Sequence, residues 1–255
     1  MPRFLAILLP VLFFATAVAA QSFVAPQPLG GKQAVTWLLE QEQRFPAEAL
    51  ASGINGEVVV AFKVLADGTS SQLRVQIPLE PGCDAEAVRL ARMIRWKPAS
   101  VGGTVLDSDH SLAIPFSAKR FNKLHGKDAP CPTLPADRPA DSSNSLYTDR
   151  QVDTLAAPRI DGGLYALPSF LAANLNYPPE AFRLDIQGKV SIEFVVETSG
   201  SVSNLRTLNF LGGGCDEEAM RLARTICWAP ALKNGRRVRS IMKLDIVFRL
   251  DPSRR

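Results

Sequence analysis

The sequence predicts a chain built from two similar domains that each combine helices and strands. Residues 30–116 recur at 162–248 without a gap, with about 34 identities over roughly 87 aligned positions, which indicates an internal duplication. Each copy shows the same order of hydrophobic patterns, namely helix, strand, strand, helix, strand. With about 90 residues in each copy, each domain can form its own core.

The first helix of each copy follows a Gly-Gly pair. Its apolar residues recur at roughly helical spacing in both copies, at Ala34, Trp37 and Leu38 and at Ala166, Phe170, Leu171 and Leu175. Pro46 and Pro178 are expected to end this helix, because proline cannot continue the helical hydrogen bonding.

Two strands joined by a tight turn come next. Alternating apolar residues predict the first strand, Val58, Val60, Phe62 and Val64 in one copy and Val190, Ile192, Phe194 and Val196 in the other. The pairs Asp67-Gly68 and Ser199-Gly200 are typical of hairpin turns. The second strand is expected near 69–77 and 201–209.

A Gly-Cys-Asp motif begins the second helix of each copy. Asp84 and Asp216 stand where a carboxylate can accept backbone N–H bonds at a helix start. A Trp-x-Pro-Ala motif ends the helix, and the duplicated Trp96 and Trp228 are expected to pack in the core. The last strand is predicted near 109–117 and 240–250.

The segments outside the repeat have their own signatures. Residues 1–20 combine Arg3, an apolar run and a small-residue end, which is typical of a cleaved signal peptide. An uncleaved membrane anchor is the alternative. We expect a leader at 21–29, domain 1 at 30–118, a proline- and serine-rich flexible linker at 119–160, domain 2 at 161–251 and a basic tail at 252–255.

The charge pattern argues against a nucleic-acid partner. The net charge is +4 and the isoelectric point is about 9.0, without a dense basic stripe. Arg236, Arg237 and Arg239 form a small cluster, which is either ordinary solvated charge or a contact for an anionic cell-wall or membrane surface.

The four cysteines leave the disulfide pairing open. Cys215 and Cys227 flank a predicted helix and are expected to be too far apart to pair with each other. Cys131 is therefore expected to pair with Cys83 or Cys215, or the thiols remain free. Cys83 and Cys215 are expected to be small buried residues rather than nucleophiles, because no histidine recurs between the copies.

No catalytic, metal-binding or cofactor-binding set is predicted. The carboxylates that recur, Asp84 with Asp216 and Glu86 with Glu218, are expected to cap the helix and face solvent. The sequence contains only two histidines and no CxxC, so a zinc site is not expected. We therefore expect no enzymatic activity.

The second copy resembles the C-terminal domain of TonB, the periplasmic energy transducer. The matching residues are Tyr177-Pro178, Gly188-Lys189-Val190, Phe194-Val195-Val196, Gly214-Cys215-Asp216, Trp228-x-Pro230-Ala231 and Gly235-Arg236-x-Val238. The resemblance implies an α+β fold, with a three-stranded antiparallel sheet and helices on one side. The first copy is more divergent, with Phe45 in place of the tyrosine.

The resemblance also implies a binding site at a sheet edge. Relatives bind short segments of outer-membrane receptors by strand addition beside the last strand. The corresponding candidate residues are Ser240, Ile241, Met242, Lys243, Leu244, Asp245, Ile246, Val247 and Phe248. The expected partner is an outer-membrane receptor peptide or another envelope protein.

The leading hypothesis is a periplasmic, non-enzymatic protein with two TonB-like domains. One alternative is a true TonB-family energy transducer in transport, anchored in the inner membrane through an uncleaved N-terminus. Another is a peptidoglycan-associated structural module that uses the basic residues.

Overall fold

Two domains of the same topology make up the structure, a computed structural model that describes residues 22–124, 134 and 138–250. The predicted signal peptide and basic tail lie outside these residues. The elements of the first domain are β1 (Phe23–Val24), β2 (Gln27–Pro28), α1 (Gly31–Glu42), α2 (Ala47–Ala51), β3 (Asn55–Val64), β4 (Ser70–Ile77), α3 (Pro81–Met93), β5 (Trp96–Lys97), β6 (Ala99–Val101), β7 (Thr104–Leu106), β8 (Ser108–Ser117) and α4 (Ala118–Leu124).

The second domain repeats this order. Its elements, with those of the segment before it, are β9 (Leu146–Tyr147), a 3-10 turn (Asp149–Gln151), β10 (Ala157–Pro158), α5 (Gly163–Asn174), α6 (Pro179–Arg183), β11 (Gly188–Val196), β12 (Val202–Thr207), α7 (Cys215–Thr225), β13 (Trp228–Ala229), β14 (Ala231–Lys233) and β15 (Arg236–Phe248). The predicted α+β class and the order helix, strand, strand, helix, strand are confirmed, with short elements added.

A three-stranded antiparallel sheet forms the centre of each domain. The order is β4-β3-β8 in the first domain and β12-β11-β15 in the second, which β14 and the short β9 extend. Gly56 pairs with Phe116, and Gly188 pairs with Phe248 at the same point of the second sheet. The register between the first and last strands is therefore identical in the two copies.

The core of each domain lies between one face of the sheet and the helices. In the second domain the alternate residues Val190, Ile192, Phe194 and Val196 are all at most 1% exposed and pack with α5 and α7. Trp228, 1% exposed, lies with its ring 5.4 Å from Phe194. The predicted packing role of the duplicated tryptophans is thus confirmed, since Trp96 is 3% exposed.

Residues of the expected leader and of the second half of the expected linker pair with strands of the two domains. β1 pairs with β6 and β2 with β5, and correspondingly Thr154 pairs with Leu232 and β10 with β13. The duplication therefore begins near Phe23 and near Asp153. Two extra residues, Ile160 and Asp161, precede the second Gly-Gly pair.

The two domains contact each other through polar groups. The Glu42 carboxylate, at the end of α1, accepts hydrogen bonds from the hydroxyls of Ser199 and Ser201 in the β11–β12 turn. The Asn204 amide donates to the Met93 carbonyl at 3.2 Å and accepts from the Arg95 backbone N–H at 2.8 Å. These bonds fix the end of α1 and the end of α3 against the second sheet.

In the described part of the chain, no helix combines the length and the apolar character needed to cross a bilayer.

Candidate functional site

The last strand of the second domain has an unpaired edge. Residues 240–248 of β15 pair with β11 on one side. On the other side, β9 pairs in parallel with Arg239 and Ser240 only. Among the described residues no strand pairs with that second side from Ile241 to Phe248, so this stretch is an open edge.

Two hydrogen bonds near the start of β15 show which backbone groups face the open edge. The Arg237 N–H donates to the Pro139 carbonyl at 2.9 Å, and the Arg237 carbonyl accepts from Asp141 at 2.8 Å. Because successive residues of a strand point their backbone groups to opposite sides, every second residue after Arg237 faces the same edge. The open N–H and C=O groups thus belong to Ile241, Lys243, Asp245 and Val247.

The corresponding edge of the first domain is obstructed. Pro115 occupies the position of Val247, and proline has no N–H to donate. The Pro115 carbonyl, moreover, accepts a hydrogen bond of 2.9 Å from Gln43 Nε2. The two copies therefore differ at the edge, although their strand registers are the same.

An ion-paired clamp holds α5 beside the open edge. Glu218 on α7 accepts a 2.7 Å hydrogen bond from the Asn176 backbone and pairs with Arg221 at 2.6 Å. Arg221 in turn donates to the carbonyl of Asn174, the last residue of α5, at 2.9 Å. Glu86 and Arg89 repeat the clamp in the first domain.

The structure divides the predicted edge residues into two groups by the face they occupy. Side chains of Leu244, Ile246 and Phe248 are buried in the core, whereas Lys243, Asp245 and Val247 are exposed. The remaining predicted members are Ser240, Ile241 and Met242. Ser240 is 2% exposed and pairs with Tyr147 of β9, so its edge is already occupied.

The solvent face of the edge carries a local charge pair. Asp245 accepts a 2.8 Å hydrogen bond from Lys189 Nζ and a 2.6 Å bond from the Ser191 hydroxyl. These bonds hold the pKa of the Asp245 carboxyl below its ordinary value, so it is ionised at neutral pH. The unpaired backbone groups of the edge therefore lie beside an acidic side chain, Asp245, whose charge is balanced by Lys189.

Burial of Arg239 contradicts its expected contact with an anionic surface. Arg239 is 6% exposed and ion-paired with Glu197, which is 1% exposed. Arg236 is exposed and Arg237 is half-buried. Only two of the three arginines can therefore contribute to a basic surface, which weakens the interpretation as a cell-wall contact.

Two of the four cysteines are buried free thiols, as expected. Cys83 and Cys215 are each 0% exposed. Burial raises the pKa of the Cys83 thiol to about 12 and raises that of Cys215, whereas an activated nucleophile has a lowered pKa.

Cys227 is disulfide-bonded, whereas Cys83 and Cys215 are free, so the expected pairing of Cys131 with Cys83 or Cys215 is wrong. Cys131 itself lies outside the described residues.

The recurring carboxylates have structural partners. Asp84 accepts from the Leu79 N–H at 2.9 Å and Asp216 from the Gly212 N–H at 2.8 Å, and both donors lie in the loop before the helix. The expectation that these aspartates cap the helix is wrong, because Glu80 caps α3 by accepting from the Cys83 N–H, and α7 begins after Gly214 without a side-chain cap. Asp216 is 3% exposed and so does not face solvent either. Glu86 and Glu218 are 8% exposed, so the expectation that they face solvent is wrong. Across the described ranges no cluster of three or more His, Cys, Asp or Glu is placed to hold a metal ion.

Comparison with known proteins identifies both domains. A family model described as Gram-negative bacterial TonB protein C-terminal matches residues 41–117 and 173–250. The two matches together cover more than half of the chain. Among curated proteins, none matches the sequence.

Proposed function

Because the chain belongs to the family of Gram-negative bacterial TonB C-terminal domains, we propose that it is a periplasmic, non-enzymatic protein that binds envelope partners. The proposed partner is an extended segment of an outer-membrane receptor or of another envelope protein. The segment adds as a further strand beside β15, and backbone hydrogen bonds provide most of the contact.

One observation carries this proposal, the open edge from Ile241 to Phe248. An unpaired strand edge presents a row of donors and acceptors that another extended segment can pair with. Four residues, Ile241, Lys243, Asp245 and Val247, supply these groups. The side chains of Leu244 and Ile246 lie in the core, which keeps the strand extended while its edge is open.

The second domain is the proposed binding domain. At the same point of the first domain, Pro115 lacks a donor and the side chain of Gln43 already binds the carbonyl. A segment that adds to the first domain could therefore form no backbone hydrogen bonds with Pro115. The duplication therefore supplies one open edge and one obstructed edge in the same chain.

A titration of the full mature chain with labelled receptor segments tests the proposal. The probes are fluorescent peptides that span the periplasm-facing N-terminal segments of outer-membrane receptors. Val247→Pro removes one edge donor and is expected to weaken binding by about 5- to 10-fold, because a hydrogen bond contributes about 1 kcal/mol. Val247→Ala keeps the N–H and is expected to bind within about twofold of the wild type.

The opposite substitution, made at the equivalent position of the first domain, is a second test. Pro115→Val restores a donor in the first domain and leaves the second edge unaltered, so it is expected not to weaken binding. Equal affinities of Val247→Pro and Val247→Ala, with both variants folded by circular dichroism, would overturn strand addition at β15. Pull-down by sacculi without any peptide binding would favour the peptidoglycan alternative instead.

A further inference from the structure

An apolar groove runs between α5 and the open edge of β15. It has a volume of about 230 Å³. Its strand side is formed by Leu244, Asp245, Ile246 and Val247, and its helix side by Leu164, Leu167, Pro168, Leu171, Ala172 and Leu175. Every helix residue that lines it is apolar.

The helix residues form one continuous stripe. Leu164, Pro168, Leu171 and Leu175 are spaced by four, three and four positions, which places them on one face of a helix. Leu171 is 7% exposed and packs into the core, but Leu164 is 49% exposed. Leu164, at the exposed end of the stripe, therefore presents its apolar surface to the groove and not to the core.

The first domain has a groove at the same place that differs at the outer positions of its helix. It lies between α1 and β8, also includes residues of α4, and has a volume of about 570 Å³. The outer positions of its helix side are Lys32, Thr36, Glu40 and Gln43. These four residues are the counterparts, 132 positions earlier, of Leu164, Pro168, Ala172 and Leu175.

A strand added to the open edge would present every second side chain to α5. Side chains alternate between the two faces of a sheet, so half of them would lie on the face of Leu244 and Ile246. That face of the sheet is the one that α5 covers, since Leu167 and Leu171 pack with those strand residues in one core. The apolar stripe would therefore line one face of the bound segment.

We propose that the second domain selects extended segments that carry apolar side chains at every second position. This inference rests on the proposed strand addition and names the chemistry of its partner. Burial of an apolar side chain against Leu164 and Leu175 favours such a segment, whereas a polar side chain loses its hydration there. The proposal is confined to the second domain, because Lys32, Thr36, Glu40 and Gln43 take the outer helix positions in the first domain, although Val35, Leu39, Phe121 and Leu124 also line that groove.

Two peptides of identical composition test the selectivity. One alternates valine and threonine over nine residues, and the other has the same residues in adjacent pairs, so that neither face is wholly apolar. We expect the alternating peptide to bind the wild-type chain about tenfold more tightly, because it places one or two more valine side chains, in place of threonine, on the face toward α5.

A graft of the first domain's groove residues onto the second supplies the variant. Leu164→Lys, Ala172→Glu and Leu175→Gln change exposed or half-buried positions, so the fold is expected to persist. The graft should bring the two peptides to equal affinity. Ser169→Lys, an exposed change on α5 outside the groove, should leave the tenfold preference unchanged.

The outcomes separate this inference from the proposed function. Equal binding of the two peptides to the wild type, or no binding of the alternating peptide, overturns the apolar selectivity. A preference that survives the graft overturns the role of the stripe. Val247→Pro should weaken both peptides to the same extent, and a failure to do so contradicts strand addition itself.

Discussion

Glu197 and Arg239 form an almost fully buried ion pair, with Arg239 Nε 2.7 Å from Glu197 Oε2. The Arg239 guanidinium also donates to the Met93 carbonyl of the first domain at 3.0 Å. The Ser203 hydroxyl donates to the same carboxylate. This pair therefore joins two strands of the second domain to the end of a helix in the first.

Removing the cation of this pair should be strongly destabilising. Arg239→Met leaves the Glu197 carboxylate buried without a counter-charge, and we expect the free energy of unfolding to fall by about 3–5 kcal/mol. Urea denaturation followed by tryptophan fluorescence measures the change. Arg236→Met, at an exposed position three residues earlier, serves as the control and should cost less than about 0.5 kcal/mol. Similar losses in the two variants would contradict the structural role of Arg239.

The interface between the domains should respond to pH through Glu42. Burial raises the pKa of this carboxyl above its ordinary 4.5, and the nearby Glu197 raises it further. The protonated form is thus favoured when the domains are docked, so the stability that it adds is fully present below pH 4.5 and is lost as the pH rises past the raised pKa. The surrounding groups are Ser199, Ser201 and Arg89, which partly oppose this shift.

Replacement of Glu42 by glutamine removes that titration. The melting temperature of the wild type is expected to fall relative to Glu42→Gln as the pH is raised from acid to neutral. Scanning calorimetry across that range measures the difference. The exposed Glu48→Gln should follow the wild type at every pH, and parallel curves for wild type and Glu42→Gln would count against the prediction.

Loss of the clamp on α5 should reduce stability locally. Glu218→Ala removes the acceptor of the Asn176 N–H and the partner of Arg221, and is expected to cost about 1–3 kcal/mol. Hydrogen exchange should show faster exchange at the end of α5. Glu217→Ala is the matched control, because Glu217 is the exposed neighbour on the same helix. No difference between the two variants would exclude the clamp.

The hairpin turn before β12 requires glycine at position 200. Its φ is +86°, and a Cβ there would lie 2.3 Å from the Trp228 carbonyl oxygen. Gly235 also has a positive φ of +72°, but no atom lies within 4 Å of its Cβ position. Both alanine variants bear the left-handed cost of about 1–2 kcal/mol, and Gly200→Ala should lose more because of the clash. Thermal denaturation ranks them, and equal losses would contradict the contact.

The free thiols should be protected from alkylation in the native state. Cys83 and Cys215 are fully buried, and burial raises the pKa of each thiol. We expect iodoacetamide to leave both unmodified in the folded protein at neutral pH and to modify both in guanidinium, as peptide mapping would show. Rapid native modification of Cys83 would contradict its burial.

Periodic patterns explain what the sequence could predict. Burial within a domain produces the alternation of Val190, Ile192 and Phe194 and the helical spacing around Leu222. The fold class and the family that these patterns predict are confirmed. The two-residue strands β2 and β10 cannot be predicted from the sequence, because segments that short have no periodicity. Their backbone partners on β5 and β13 are determined by the tertiary fold.

The contacts between the domains could not be read from local patterns. Glu42 meets Ser199 across 157 positions, and in sequence such residues look like ordinary surface charge. Arg239 likewise looks like surface charge in the sequence, although it is buried in the structure. At the candidate edge, the difference between Pro115 and Val247 was present in the aligned copies, but its meaning depends on which backbone groups face outward, and only the structure gives that.

The polar contacts at the end of α1 have a consequence for any partner with two binding segments. If the domains moved freely on a linker, the length of that linker would set the local concentration of the second site. Here Glu42 and Asn204 hold the two sheets in one arrangement. The distance from the open edge of β15 to any surface of the first domain is then fixed, so a partner bound at β15 gains avidity from a second contact only if that contact lies at the matching distance.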